Sequence, residues 1–350
     1  MNSASEASGS SAGSERRLRA AVVGAGHLGR IHSRVYREIG GVDLVGVVDA
    51  REDRARGVAE RLGSKGYKAV GELPSDLDVV SIATPTVAHA EIAIPFLERG
   101  VSVLVEKPIA ASIEEADAML AAASRSGAVL TVGHSERFNP GIRAVAEFAV
   151  RPRFVEVHRL APFSFRSQDV GVVLDLMIHD LDLLLHLVCD EVESVDAVGG
   201  NVLTTAEDLA NARIRFKNGC VANVTASRVS LEPLRRMRFF SPDSYVSLDL
   251  QKRYALAVRK GPRWESERKR LSELDPASLQ DPRAFVFGGL LEIKEAHFQD
   301  ETEPLKAEIA AFLNAVRGAG QNPCSGDEGR RALALAVRVL QSMDANAWRL

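Results

Sequence analysis

An apolar run, Leu18–Val23 (LRAAVV), passes without a spacer into Gly24-Ala25-Gly26-His27-Leu28-Gly29, and a helical periodicity follows over Gly29–Ile39. The loop reads G-x-G-x-x-G. Between a strand and a helix, that pattern cradles a dinucleotide. The first Gly permits the tight turn, the second lets a pyrophosphate approach the backbone, and the third lets helix and strand pack closely. The helix N-terminus adds free N–H groups and partial positive charge. Asp49 ends the next β-branched run, Val42–Val48, 20 residues after Gly29. A carboxylate there accepts from ribose hydroxyls and repels a 2′-phosphate, which favours NAD over NADP. Arg51 and Arg54 nearby pull the other way.

The pattern continues. Helical signals over Asp53–Leu62, Val87–Arg99 and from Ser112 to Ala123 alternate with the apolar runs Asp78–Ala83, Val101–Val105 and Ala128–Val132. Ser112 and Glu115 have capping-box spacing. Continuous apolar strands separated by helices imply a parallel sheet covered on both faces. After about residue 150 the texture changes. Arg153–Leu160 alternates like an antiparallel strand with one wet face, and Gly171–Val188 is a strongly apolar helix. Strand signals follow at Val192–Val202, Asn211–Phe216, Val221–Val229, Arg235–Phe240 and Tyr245–Leu250. Residues 259–283 read as a solvated excursion, and two helices, Glu303–Arg317 and Asp327–Met343, come last. The expected fold is α/β: a Rossmann-type doubly wound parallel sheet over residues 18–140, then an α+β domain with a mostly antiparallel open sheet over 141–343. The last helices are placed to pack back on the first domain. Residues 1–17, rich in Ser, are expected to be a tail that does not fold.

Composition limits the partners. Lys+Arg is 44 and Asp+Glu is 47 in 350 residues, a net charge of −3. That balance speaks against nucleic acid and against anionic membranes, and no window reaches the length of a membrane span. Cys189, Cys220 and Cys324 are too scattered for a zinc pattern and odd in number for a disulfide framework. Free thiols and no secretory leader indicate a cytoplasmic protein.

In a doubly wound sheet, ligands sit beyond the carboxyl ends of the strands. The groups there are Thr84-Pro85, Glu106-Lys107-Pro108 and His134-Ser135-Glu136-Arg137. Lys107 follows its strand at once and should enter the cleft, with Pro108 fixing the backbone behind it. The segment Val173–Asp182 puts Asp175, Asp180, Asp182 and His179 into an apolar helix. Buried charges need partners, so these acids should face a cleft or one another. Asp175 and His179 are four apart, hence helical neighbours, and a carboxylate can orient an imidazole base. Adding His186 would make a metal triad, but a ligand two turns away points off a shared centre. No metal is expected, and His186 reads as a core residue.

Together GAGHLGRIH (24–32), VVDA (47–50), ATP (83–85), EKP (106–108), ERFNP (136–140) and LDLMIHDLD (174–182) resemble the glucose–fructose oxidoreductase / inositol dehydrogenase / rhizopine catabolism (Gfo/Idh/MocA) family. The resemblance implies an NAD-dependent dehydrogenase acting on a sugar or cyclitol hydroxyl, with catalysis by Lys107, Asp175 and His179. It implies cofactor contacts from Gly24, Gly26, His27, Leu28, Gly29, Asp49, Thr84, Pro85, His89, Glu106 and Lys107. It also implies a homo-oligomer, dimer or tetramer, formed through the C-terminal sheet. GHSERFNP (133–140) and residues 166–185 resemble the bacterial subgroup that holds UDP-N-acetylglucosamine 3-dehydrogenases. A nucleotide-sugar substrate would need cations, and Arg159, Arg166 and Arg228 are candidates beside Lys107, Asp175 and His179. The alternatives are another sugar or inositol as substrate, or a non-redox glycosidase that retains its NAD.

Overall fold

A computed structural model describes residues 16–147, 151–164, 170–268, 285–298 and 303–346, together with Glu273 and Asp281. The first sheet has six parallel strands: β1 (Leu18–Val23), β2 (Val42–Val48), β3 (Gly66–Tyr67), β4 (Val79–Ile82), β5 (Ser102–Glu106) and β6 (Leu130–Gly133). Their order is β3-β2-β1-β4-β5-β6. The chain reverses direction of growth between β1 and β4, and the crevice at that point is where a doubly wound sheet binds its ligand. Helices α1 (His27–Glu38), α2 (Glu52–Arg61), α3 (His89–Glu98) and α4 (Ile113–Ser126) connect the strands. Every residue of β4, β5 and β6 is buried, as continuous apolar strands between two helix layers must be. The short strand β3 had no signal in the sequence, because two residues have no period.

Ser112 caps α4 by accepting from the Glu115 N–H at 3.1 Å. The Glu115 carboxylate reaches back one residue further than expected, to the Ala111 N–H at 3.0 Å, so the box is not closed on Ser112. A reciprocal box does form between Ser325 and Glu328.

After α5 (Pro140–Glu147), strand β7 (Phe154–Leu160) enters the second sheet. A π-helical turn over Val173–Met177 then runs into α6 (Ile178–Val188). Strands β8 (Val192–Gly200), β9 (Leu209–Phe216), β10 (Val221–Ser227), β11 (Leu234–Phe240), β12 (Ser244–Asp249), β13 (Tyr254–Lys260) and β14 (Leu291–His297) complete eight strands in the order β14-β13-β12-β11-β7-β10-β9-β8. The pairing is antiparallel except at β7, which is antiparallel to β11 but parallel to β10. The alternation along Phe154–Leu160 reports one wet face, and it is silent on the direction of the neighbours. Strands β13 and β14 take residues from either side of the expected excursion, most of which lies outside the described residues.

Helix α7 (Pro304–Val316) packs back on the first half, and α8 (Gly326–Ala345) ties the two halves together. From α7, Leu305, Ile309, Phe312 and Leu313 join the core formed by β1, β2 and α1. In α8, Leu333 belongs to the core of the first sheet, while Leu335, Ala336, Val339 and Met343 belong to that of the second. Gly329 of α8 lies so close to β6 that a Cβ would stand 2.4 Å from Val132 Cγ2.

Candidate active site

The glycine loop has the shape its spacing implies. Gly24 has φ +99°. A Cβ on it would lie 2.4 Å from the Ala83 carbonyl oxygen, and one on Gly29 would lie 1.7 Å from that of Gly24. A Cβ on Gly26 would meet nothing within 4 Å, so that position is open to a ligand. His27 and Leu28 are exposed beside it. Asp49 accepts from the Ala25 N–H at 2.8 Å and from the Arg51 N–H at 2.9 Å, so this acid also shapes the loop. Next to it, Gly26, Arg30, Arg54 and Arg61 line a cavity of about 450 Å³. A tight turn, an open second glycine and an acid at the end of β2 fit a dinucleotide.

Two residues expected at the cofactor turn inward. His89 is buried, with one ring nitrogen 3.0 Å from the Pro108 carbonyl oxygen and the other 3.0 Å from that of Thr84. It joins two strand-end loops and offers a ligand no free nitrogen. Glu106 is buried, and its carboxylate lies 2.9 Å from His32 Nε2. Thr84 and Pro85 follow the end of β4. The Lys107–Pro108 peptide bond is cis.

Lys107 points across the crevice to the second half. Its Nζ donates to the Asp175 carbonyl oxygen at 2.6 Å and to Oδ1 of the same residue at 3.2 Å. No hydrogen bond joins Asp175 to His179, so the expected acid–imidazole pair is not what the structure shows. The π turn over Val173–Met177 changes the angular spacing along the helix, and Lys107 takes the carboxylate.

All three acids of this segment have a basic partner of their own. Asp180 receives Arg159 through two bonds, at 2.7 and 2.8 Å. Asp182 receives Arg137 at 2.7 and 2.6 Å. The acids were expected to face a cleft or each other, and only Asp175 lies in the cleft. Arg159 also binds Glu136 at 3.1 Å, and Arg137 binds Glu328 at 2.7 Å. Arg137, expected among the strand-end groups facing the cofactor, is instead buried and held by Asp182.

His179 is partly buried, and its Nδ1 has no hydrogen-bond partner. Burial, together with the nearby charges of Lys107 and Arg159, holds its pKa well below the ordinary value of 6.5. The imidazole is therefore neutral and able to take a proton. Its ring meets the His134 ring edge-on at 6.2 Å between centroids. His134 is buried with both nitrogens unpartnered, and with Asp182 and Cys324 it offers three ligand atoms within 4.8 Å of one another. Arg137 already occupies both Asp182 oxygens, so this cluster is a poor cation site.

Of the proposed anion-binding arginines, Arg159 is taken up by Asp180 and Glu136. Arg228 is buried, donates to the Val170 carbonyl oxygen and lies 3.7 Å from Asp208. Arg166 lies outside the described residues. His186, expected in the core, is exposed.

Residues 18–134 match the oxidoreductase family with an NAD-binding Rossmann fold named for Gfo, Idh and MocA, and residues 145–241 match that family's C-terminal domain. A UDP-N-acetylglucosamine 3-dehydrogenase from Acidithiobacillus ferrooxidans is 38% identical over 94% of this chain and 98% of its own length. Its solved structure superposes with a TM-score of 0.82 at 37% identity, over the same shares of both chains. A myo-inositol 2-dehydrogenase from Thermotoga maritima is 30% identical over 93% of this chain and 96% of its own. A crevice with a dinucleotide loop on one wall and a Lys–Asp pair beside a neutral histidine on the other agrees with these matches: the chain belongs to the Gfo/Idh/MocA oxidoreductases, a family built on an NAD-binding Rossmann fold.

Proposed function

We propose that the chain oxidises the 3-hydroxyl of UDP-N-acetylglucosamine to the 3-keto sugar nucleotide with NAD. The observation that carries the chemistry is the Lys107–Asp175 contact across the crevice beside a neutral His179. The relative from Acidithiobacillus ferrooxidans, similar over nearly its whole length, supports the substrate.

Bound NAD supplies the two-electron acceptor. Gly24, Gly26 and Gly29 would hold its pyrophosphate, and Asp49 would hold its ribose. His179 takes the proton of the substrate hydroxyl. Lys107 donates a hydrogen bond to the oxygen as negative charge builds on it. Asp175 is a positioning residue: its carbonyl and carboxylate hold the Lys107 ammonium at the mouth of the crevice. The product is the ketone that an aminotransferase needs to install a 3-amino group on a sugar for lipid A. We place the protein in the cytoplasm, as a homo-oligomer joined through the outer face of the eight-stranded sheet. The outer-face residues Glu156, His158, Asn211 and Arg213 line a shallow depression there.

The test is a panel of UDP-sugars and free cyclitols with NAD, read as formation of the reduced cofactor. Turnover of UDP-N-acetylglucosamine well above myo-inositol is expected. Turnover of myo-inositol alone contradicts the reading. Release of a glycoside's aglycone without net reduction of the cofactor would point to a retained-NAD glycosidase. Light scattering on the eluted protein tests the oligomer.

A further inference from the structure

Among the described residues, Arg235 stands half-exposed beside the buried Arg159. Arg235 lies in β11 and stands opposite Arg159 of β7 in the pairing register. Alternation along β11 buries Met237 and Phe239, so Arg235 shares their face, which is also the face of Arg159 and Asp180. Arg236 and Arg238 point the other way. The Arg159 side chain is 5% exposed and doubly bonded to Asp180, whereas the Arg235 side chain is 49% exposed. Its described ion pair is with Glu136 Oε1 at 3.4 Å, an atom that Arg159 holds more closely at 3.1 Å. The charge of Arg235 is among those that depress the basicity of His179, which places it within electrostatic reach of the reacting hydroxyl.

We propose that Arg235 binds the diphosphate of a nucleotide-sugar substrate. This inference rests on the functional reading above and extends it to a residue. A sugar whose 3-hydroxyl meets His179 carries its diphosphate only a few bonds further on, at the anomeric oxygen. Arg235 is the second residue of β11 and lies on the face that carries Arg159. Its planar fork suits two phosphate oxygens at once. Leaving Glu136 strands no carboxylate, because Arg159 keeps that partner. The cofactor's own diphosphate belongs to the glycine loop on the opposite wall, so it does not compete for Arg235.

The test compares the wild type with R235A, R235K and R236A. The last removes a neighbouring cation on the outer face, where Arg236 pairs with Asp249 at 3.2 Å. The readouts are KM and kcat for UDP-N-acetylglucosamine and inhibition by UDP alone. R235A is expected to raise KM and to weaken UDP inhibition together, by roughly ten- to a hundredfold, with kcat within a few-fold. R235K should recover part of the loss, because it keeps the charge but not the fork. It also serves if R235A folds poorly. R236A should stay within about twofold on both measures. A wild-type KM and wild-type UDP inhibition in R235A overturn the proposal, as does a fall in kcat at constant KM. A wild-type enzyme that ignores UDP-N-acetylglucosamine and oxidises myo-inositol overturns the functional reading instead, and the wild-type data alone show which has failed.

Discussion

Lys107 Nζ lies 2.6 Å from the carbonyl oxygen of Asp175 and 3.2 Å from its carboxylate, so one side chain joins the end of β5 to the π turn before α6. The pair is partly buried, at 15% and 31% side-chain exposure. The ammonium is thus held at the crevice by the half of the protein that carries His179, while its backbone belongs to the half that carries the glycine loop.

Replacing Lys107 with Met should lower kcat by about a hundredfold or more, the usual loss when a donor to a developing oxyanion is removed. NAD binding, measured by fluorescence titration, should stay within a few-fold, because the pyrophosphate is held by the loop. D175N should cost less, since the Asp175 carbonyl still accepts from Lys107. Loss of NAD binding in K107M would mean that the lysine serves the cofactor.

The pH profile follows from His179. Its pKa is depressed well below 6.5 by burial first and then by the surrounding cations, so the proton-accepting form persists into acid. The acid break of kcat/KM should therefore fall well below 6.5. It should move upward in R235A, which removes one of those cations. The same sign governs stability: folded His179 and His134 resist protonation and the unfolded chain does not. The unfolded chain then binds more protons, and stability falls as pH drops below about 6.5. An acid break at or above 6.5 would exclude His179 as the base.

Gly26 and Gly29 should separate binding from folding. A Cβ on Gly29 would overlap the Gly24 carbonyl oxygen, and one on Gly26 meets nothing within 4 Å. G29A should lower Tm by several degrees, while G26A keeps the wild-type Tm and loses NAD affinity by tenfold or more, roughly the loss of one or two hydrogen bonds to the phosphates. Thermal melts and NAD titration of both variants check this.

Glu308 is fully buried on α7 with neither oxygen bonded. Burial, and then the charges of Glu106 and Asp182, hold its pKa well above 4.5, so the folded protein keeps its proton. The unfolded chain loses that proton above pH 4.5, so this residue destabilises the fold as pH rises, by about 1.4 kcal/mol per pH unit until the folded group ionises. E308Q removes the penalty. Its Tm should exceed the wild type's at pH 8, and the gap should shrink toward pH 5.

The parallel sheet was legible because its strands are buried on both faces and read as unbroken apolar runs. The glycine loop was legible because its backbone demands glycine at three fixed positions. The ion pairs were not. Asp180 and Asp182 stand out as acids in an apolar helix, but their partners, Arg159 and Arg137, come from residues 21 and 45 positions away. The direction of β7 was hidden for a similar reason, since alternation reports burial and not pairing. Arg235 looked like any strand arginine until register set it opposite Arg159.

The most direct test of the central claim is to locate the oxidised carbon. The enzyme is incubated with UDP-N-acetylglucosamine and NAD, the ketone is reduced in place with borodeuteride, and the deuterium is located by NMR. Deuterium at C3 of the sugar, formed by the wild type and about a hundredfold or more slowly by K107M, is the predicted result. Deuterium at another carbon, or equal product from K107M, would contradict the account.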